Sequence, residues 1–163
     1  VRICIVEQNA AHCAHLLIPW LRETRGSMVF ISSLAALHGI PRSSVYCMSK
    51  MALTALAQSL KLELRGTGIH IGLLHVGFTK NEKDKQVFTP AGEQIPIQER
   101  PGWVQQSPEK VATAVYRNIR RRRYRRVLSP IGLVLAFSSR YLPRFTLFAM
   151  RYTDRSAEKL TRQ

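Results

Sequence analysis

Ser33, Tyr46 and Lys50 are the residues of this sequence whose types and spacing suit chemistry. Tyr46 and Lys50 stand four apart in a helical pattern, which stacks both side chains on one face. A free phenol is a poor acid at neutral pH, with an ordinary pKa of about 10. An ammonium about 4 Å away favours the phenolate by ~4 kcal/mol at an effective dielectric of about 20. A tyrosine paired in this way becomes usable as a general acid or base near neutral pH. Ser33 closes the apolar run Met-Val-Phe-Ile-Ser-Ser that begins at Met28. Its hydroxyl therefore emerges at the carboxyl end of a strand, where open α/β sheets place their ligands.

The elements that must hold these groups follow from periodicity. Ala11, Ala14, His15, Ile18 and Leu21 keep three-and-four spacing and predict a helix from Ala10 to Arg25, interrupted by Pro19, with Gly26 as its C-cap. The run Val1 to Val6 suits a strand end or a helix start. The helix carrying Tyr46 runs to about Arg65, with Ala52, Leu56, Leu60 and Leu64 as its apolar stripe, and stops at Gly66-Thr-Gly68. Ile69 to His75 is nearly continuous in apolar content apart from two histidines, as a parallel strand covered on both faces should be. Lys80 to Gln106 is polar and loop-rich. Ser107-Pro108-Glu109 opens a further helix with a serine N-cap, proline at the first position and an acid in the first turn. Val111, Val115 and Ile119 form its expected buried row.

Taken together, Ser33, Tyr46-Cys-Met-Ser-Lys50, the segment Gly26 to Ser33, the Gly39-Ile-Pro41 turn, Ser44-Val-Tyr46 and Gly77-Phe78 resemble the short-chain dehydrogenase/reductase (SDR) family in order and spacing. The resemblance covers about Val6 to Ser129. It implies the carboxyl-terminal part of a Rossmann-like, doubly wound parallel α/β sheet over residues 1–130; beyond it, the pattern of residues 131–163 reads as a basic tail carrying one amphipathic helix. It also implies an NAD(P)-dependent oxidoreductase that interconverts an alcohol and a carbonyl. Tyr46 would be the general acid/base. Lys50 would support it and bond the nicotinamide ribose, and Ser33 would bond the substrate oxygen. Val76, Gly77 and Thr79 would join Tyr46 and Lys50 in binding NAD or NADP. Where the family has Pro-Gly this chain has Val76-Gly77, and Asn81 stands near the family's threonine. The family's catalytic asparagine falls in register at Val6, with Asn9 as the nearby alternative. No G-x-G-x-x-G occurs in the 163 residues, so the resemblance implies a longer parent protein. Val87, Phe88, Ile95, Ile97 and Trp103 lie in the family's substrate lid, where they would either line an apolar pocket or pack the lid. The family's oligomers commonly pair through the helix carrying Tyr46 and the one before it.

Net charge is +15, and most of the excess follows residue 99, with six arginines in the seven residues 120–126. Such a run suits a solvated cationic face, and a nucleic-acid reading has no recognised module behind it. Three cysteines without a C-x-x-C pair suggest a reduced, intracellular protein, cytoplasmic or peripheral to a membrane. His12, Cys13 and His15 gain no third ligand from the sequence, so no metal is expected. From Ile131 to Met150, Val134, Phe137, Tyr141, Phe145 and Phe148 recur at three and four beside Arg140 and Arg144. This amphipathic, cationic pattern suits the plane of a membrane interface, or else a helix that covers the rest of the domain or a partner subunit; a membrane-facing tail and an apolar lid would suit a lipophilic substrate. The competing reading is a catalytically incomplete piece acting as a basic module on membrane or nucleic acid.

Overall fold

The structure, a computed structural model, describes residues 2–41, 43–80, 86–88, 94–96, 102 and 105–161, with side chains for 8–41, 43–80, 102 and 105–152. Three parallel strands, β1 (Ser27–Ser33), β2 (His70–Val76) and β5 (Arg125–Val127), form a sheet in the order β1-β2-β5. A short antiparallel pair, β3 (Gln86–Phe88) and β4 (Gln94–Pro96), stands apart from it. The helices are α1 (Arg2–Thr24), α2 (Ser44–Glu63), α3 (Pro108–Arg121), α4 (Pro130–Tyr141) and α5 (Pro143–Thr161).

Side chains alternate across β2, and the two sets meet different helices. On one face Ile71 and Leu73 join Phe30 of β1 and pack on Ala14 of α1 and Ala57 and Leu60 of α2. On the other face Gly72 makes room for Asn118 of α3: a Cβ there would lie 2.1 Å from the Asn118 Oδ1. Asn118 is buried, meets His70 Nε2 at 3.1 Å and donates to the Arg123 carbonyl at 2.7 Å. Helices on both faces of a parallel sheet make the doubly wound α/β arrangement that the sequence predicts. Ile71, Leu73 and Leu74 are fully buried, and each contributes roughly 1.5–3 kcal/mol by leaving water.

Several local expectations shift. α1 starts at Arg2 rather than Ala10 and continues through Pro19. Proline removes one backbone bond, but Ala14, Ile18 and Leu21 on either side of it are held by the core. The left-handed residue that ends α1 is Arg25, with φ 49°, and Gly26 donates its N–H to Leu21. Glycine is needed at 26 for space, since a Cβ would meet Leu21 Cδ2 at 2.5 Å. The buried row of α3 is Ala114 and Asn118 while Ile119 is exposed, because the room left by Gly72 draws Asn118 inward. On α2 the stripe turns towards Thr54, Ala57 and Leu60, leaving Ala52 exposed. The last strand takes in Arg125 and Arg126, and Ser129 caps α4 by accepting from the Gly132 N–H. The amphipathic tail is two helices rather than one. Pro143 cannot donate to the preceding turn and disfavours helical backbone at Leu142, whose φ and ψ are −131° and 54°.

Candidate active site

Ser33, Tyr46, Lys50, Val76, Gly77 and Thr79 all line one cleft of about 480 Å³ at the carboxyl ends of β1 and β2. Each arrives there for a local reason. Ser33 ends β1, and its Oγ accepts the Ala35 N–H at 3.3 Å as the cap of a short 3-10 turn. That leaves the hydroxyl hydrogen for an oxygen in the cleft. Tyr46 sits in the first turn of α2 with 46% of its surface exposed, and Lys50 Nζ lies 5.7 Å from its ring centroid. The four-residue spacing therefore places the ammonium over the face of the Tyr46 ring. Ile31, Leu34, Ala35, Ile40, Val76 and Phe78 give the cleft an apolar lining around these polar groups.

Two buried clamps hold the polar groups in place, and neither is apparent from motif spacing. Ser32 points away from Ser33, into the α2 side, where its Oγ donates to the Lys50 carbonyl at 3.2 Å. Thr54 Oγ1 donates to the same carbonyl at 3.1 Å. α2 is thus tied to β1 at the residue beside Ser33. The second clamp is His75, fully buried on β2. Its Nδ1 lies 3.2 Å from the Ser33 carbonyl, and Arg125 Nε donates to its Nε2 at 3.1 Å. This pair of partners requires the neutral ring with its proton on Nδ1. Burial pushes the His75 pKa down to about 4, and the Arg125 guanidinium pushes the same way. In the loop beside the cleft, the Ile40 N–H points at Cys47 Sγ at 3.3 Å. The segment after β2 is pinned by Gln106, whose N–H donates to the Phe78 carbonyl and whose carbonyl accepts from Lys80. The sequence signal for the His75 clamp is that the run Ile69–His75 carries two histidines in an otherwise apolar stretch.

Asn9 is exposed on α1 and is not among the residues lining the cleft. Asn81 and the side chains of Val6, Val87, Phe88, Ile95, Ile97 and Trp103 lie outside the described residues. The arginine run divides among the end of α3, a turn at Arg122 with φ 47°, and β5. Arg122 folds back to donate to the carbonyls of Arg25 and Gly68.

The profile of the short chain dehydrogenase family matches residues 8–91, just over half of the chain. The chain belongs to the short-chain dehydrogenase family. Among curated proteins this short-chain dehydrogenase is similar to 11-beta-hydroxysteroid dehydrogenase 1A of Arabidopsis thaliana, 36% identical over 107 residues, which is 65% of this chain and 30% of that one. A short-chain dehydrogenase structure from Streptomyces avermitilis superposes with a TM-score of 0.65 at 23% identity, covering 90% of this chain and 58% of that one. Another from Burkholderia phymatum, in complex with NAD, gives a TM-score of 0.59 at 21% identity over 78% of this chain and 52% of that one. At such identities the superpositions establish the fold. The chain spans under a third of the length of the first curated relatives it matches and just over half of these two structures.

Proposed function

We propose that this short-chain dehydrogenase contributes the catalytic half of an NAD(P)-dependent oxidoreductase acting on a lipophilic alcohol or carbonyl. The observation that carries the reading is the single cleft shared by Ser33, Tyr46, Lys50, Val76, Gly77 and Thr79. Its volume lies within the range of about 300–1,000 Å³ usual for small-molecule sites. Its donor set suits the nicotinamide end of the cofactor: the Lys50 ammonium for the ribose hydroxyls, and the Val76–Gly77 backbone with the Thr79 hydroxyl for the carboxamide side. NAD or NADP, when bound, supplies the hydride acceptor or donor. Ser33 donates to the substrate oxygen and orients it. Tyr46 takes the hydroxyl proton as the O–H and carbinol C–H bonds give way to a carbonyl, and it returns a proton in the reverse direction. Lys50, close over the ring, stabilises the phenolate form from which Tyr46 takes that proton and to which it returns on giving one back. The apolar lining favours a substrate with hydrocarbon beside the reacting carbon, of a kind that also partitions into membranes.

Tyr46→Phe in the complete protein should lower kcat by about 10²–10⁴ while the cofactor Kd stays nearly unchanged. Retained turnover would remove Tyr46 from the mechanism. Across a homologous series of alcohols, kcat/KM should climb about fourfold per methylene buried, at ~0.8 kcal/mol each. A flat series would count against the lipophilic class. Subunit pairing belongs to the same reading, and α1 offers Leu16, Leu17 and Trp20, all exposed, as its surface.

A further inference from the structure

The described surface beyond β5 carries a concentration of large apolar side chains that stay mostly exposed among the described residues. On α4, Val134, Phe137 and Tyr141 recur at three and four and are 69%, 60% and 65% exposed. The rings of Phe137 and Tyr141 lean together with centroids 4.8 Å apart. On α5, Phe145, Phe148 and Tyr152 follow the same spacing and are equally open, while Thr146 turns inward. Soluble surfaces seldom expose apolar groups in such contiguous numbers without a partner.

The charge around these rows indicates what the partner is. Arg140, Arg144 and Arg151 are exposed beside them, and Arg126 shares a groove of about 840 Å³ with Arg140, Leu133 and Tyr141. From Lys110 to Thr153 the sequence has eleven basic residues and no Asp or Glu. A second copy of this face would bring arginine against arginine, which opposes self-pairing. Nucleic acid would satisfy the arginines and leave the apolar rows in water. An anionic bilayer meets both needs, with acyl chains for the rings and headgroups for the guanidiniums. Among the described residues no helix is long and apolar enough to cross a membrane, which suits helices lying in the interface plane.

We propose that α4 and α5 form a bipartite dock for the surface of an anionic membrane, burying Val134, Phe137, Tyr141, Phe145, Phe148 and Tyr152 at the acyl boundary. The dock rests on the reading of a lipophilic substrate only for its purpose, and its geometry uses no step of the redox chemistry.

The test is co-sedimentation of the purified complete protein with phosphatidylcholine vesicles, with and without phosphatidylglycerol. Binding should be at least about tenfold tighter with phosphatidylglycerol, because each arginine near an anionic surface adds about fivefold. It should weaken as salt shortens the screening length. The triple variant Phe137→Ser, Phe145→Ser, Phe148→Ser, with its fold checked by circular dichroism, should lose at least about tenfold in vesicle affinity, while turnover of a water-soluble alcohol is retained. Three results overturn the dock. One is equal binding to both vesicle types. Another is undiminished binding of the triple variant, which would leave a purely electrostatic contact with any polyanion. The third is absence of vesicle binding together with a light-scattering mass that halves in the triple variant, which would give the surface to a second copy. Loss of turnover in Tyr46→Phe with vesicle binding intact, or the converse, separates the two readings.

Discussion

Acid should weaken this fold through one buried imidazole. His75 is pushed from its ordinary 6.5 down to about 4, first by burial and then by the Arg125 guanidinium, with the Ser33 carbonyl pulling the other way. Between those two values the unfolded chain binds a proton that the folded chain refuses. Stability is therefore present in full above pH 6.5 and drains away as the pH falls towards 4. At 1.36 kcal/mol per unit, the gap amounts to about 3 kcal/mol, a large part of a domain's usual margin. His70 is lowered in the same direction, chiefly by burial, so the wild-type profile contains both rings. His75→Asn isolates the one of interest, since asparagine offers an amide donor to the Ser33 carbonyl and has no titration in this range. Urea unfolding of both proteins at pH 7.5 and pH 4 is the assay. Wild type should lose about 3 kcal/mol more than the variant over that interval. Parallel pH profiles would refute the reasoning, because they would mean that His75 is free to protonate where it stands.

Two further outcomes follow from contacts elsewhere in the molecule. Gly72→Ala should destabilise the fold by about 2–6 kcal/mol in denaturant titration, because a Cβ 2.1 Å from Asn118 Oδ1 expels the amide and strands His70 and the Arg123 carbonyl, at about 1–3 kcal/mol each. A wild-type midpoint would mean that Asn118 finds an equivalent position. Trp20→Glu, at a residue 70% exposed on α1, should lower the mass of the complete protein by light scattering if α1 pairs subunits. An unchanged mass would assign the pairing elsewhere.

By itself the sequence marked the residues whose types suit chemistry, which the structure gathers in one cleft, and, through the family resemblance, the class of fold. Tyr46 and Lys50 are one helical turn apart, and Ser33 ends an apolar strand; these are relations between near neighbours, which local periodicity controls. The serine cap and first-turn proline of α3 were legible for the same reason, since Ser107 accepts the Lys110 N–H three residues on. What the tertiary structure decided is how those residues are held. His75 reaches Ser33 across 42 positions and Arg125 across 50, and His70 reaches Asn118 across 48. These contacts depend on the register of parallel strands joined by long crossovers, which pairs Ser32 with His75 and His75 with Val127. A hydrophobic pattern specifies that two strands are buried but not which residue faces which. The inward turn of Asn118, the outward turn of Ile119 and the exposed faces of α4 and α5 have the same origin: each depends on the space a distant element leaves, and that space exists only once the sheet has assembled.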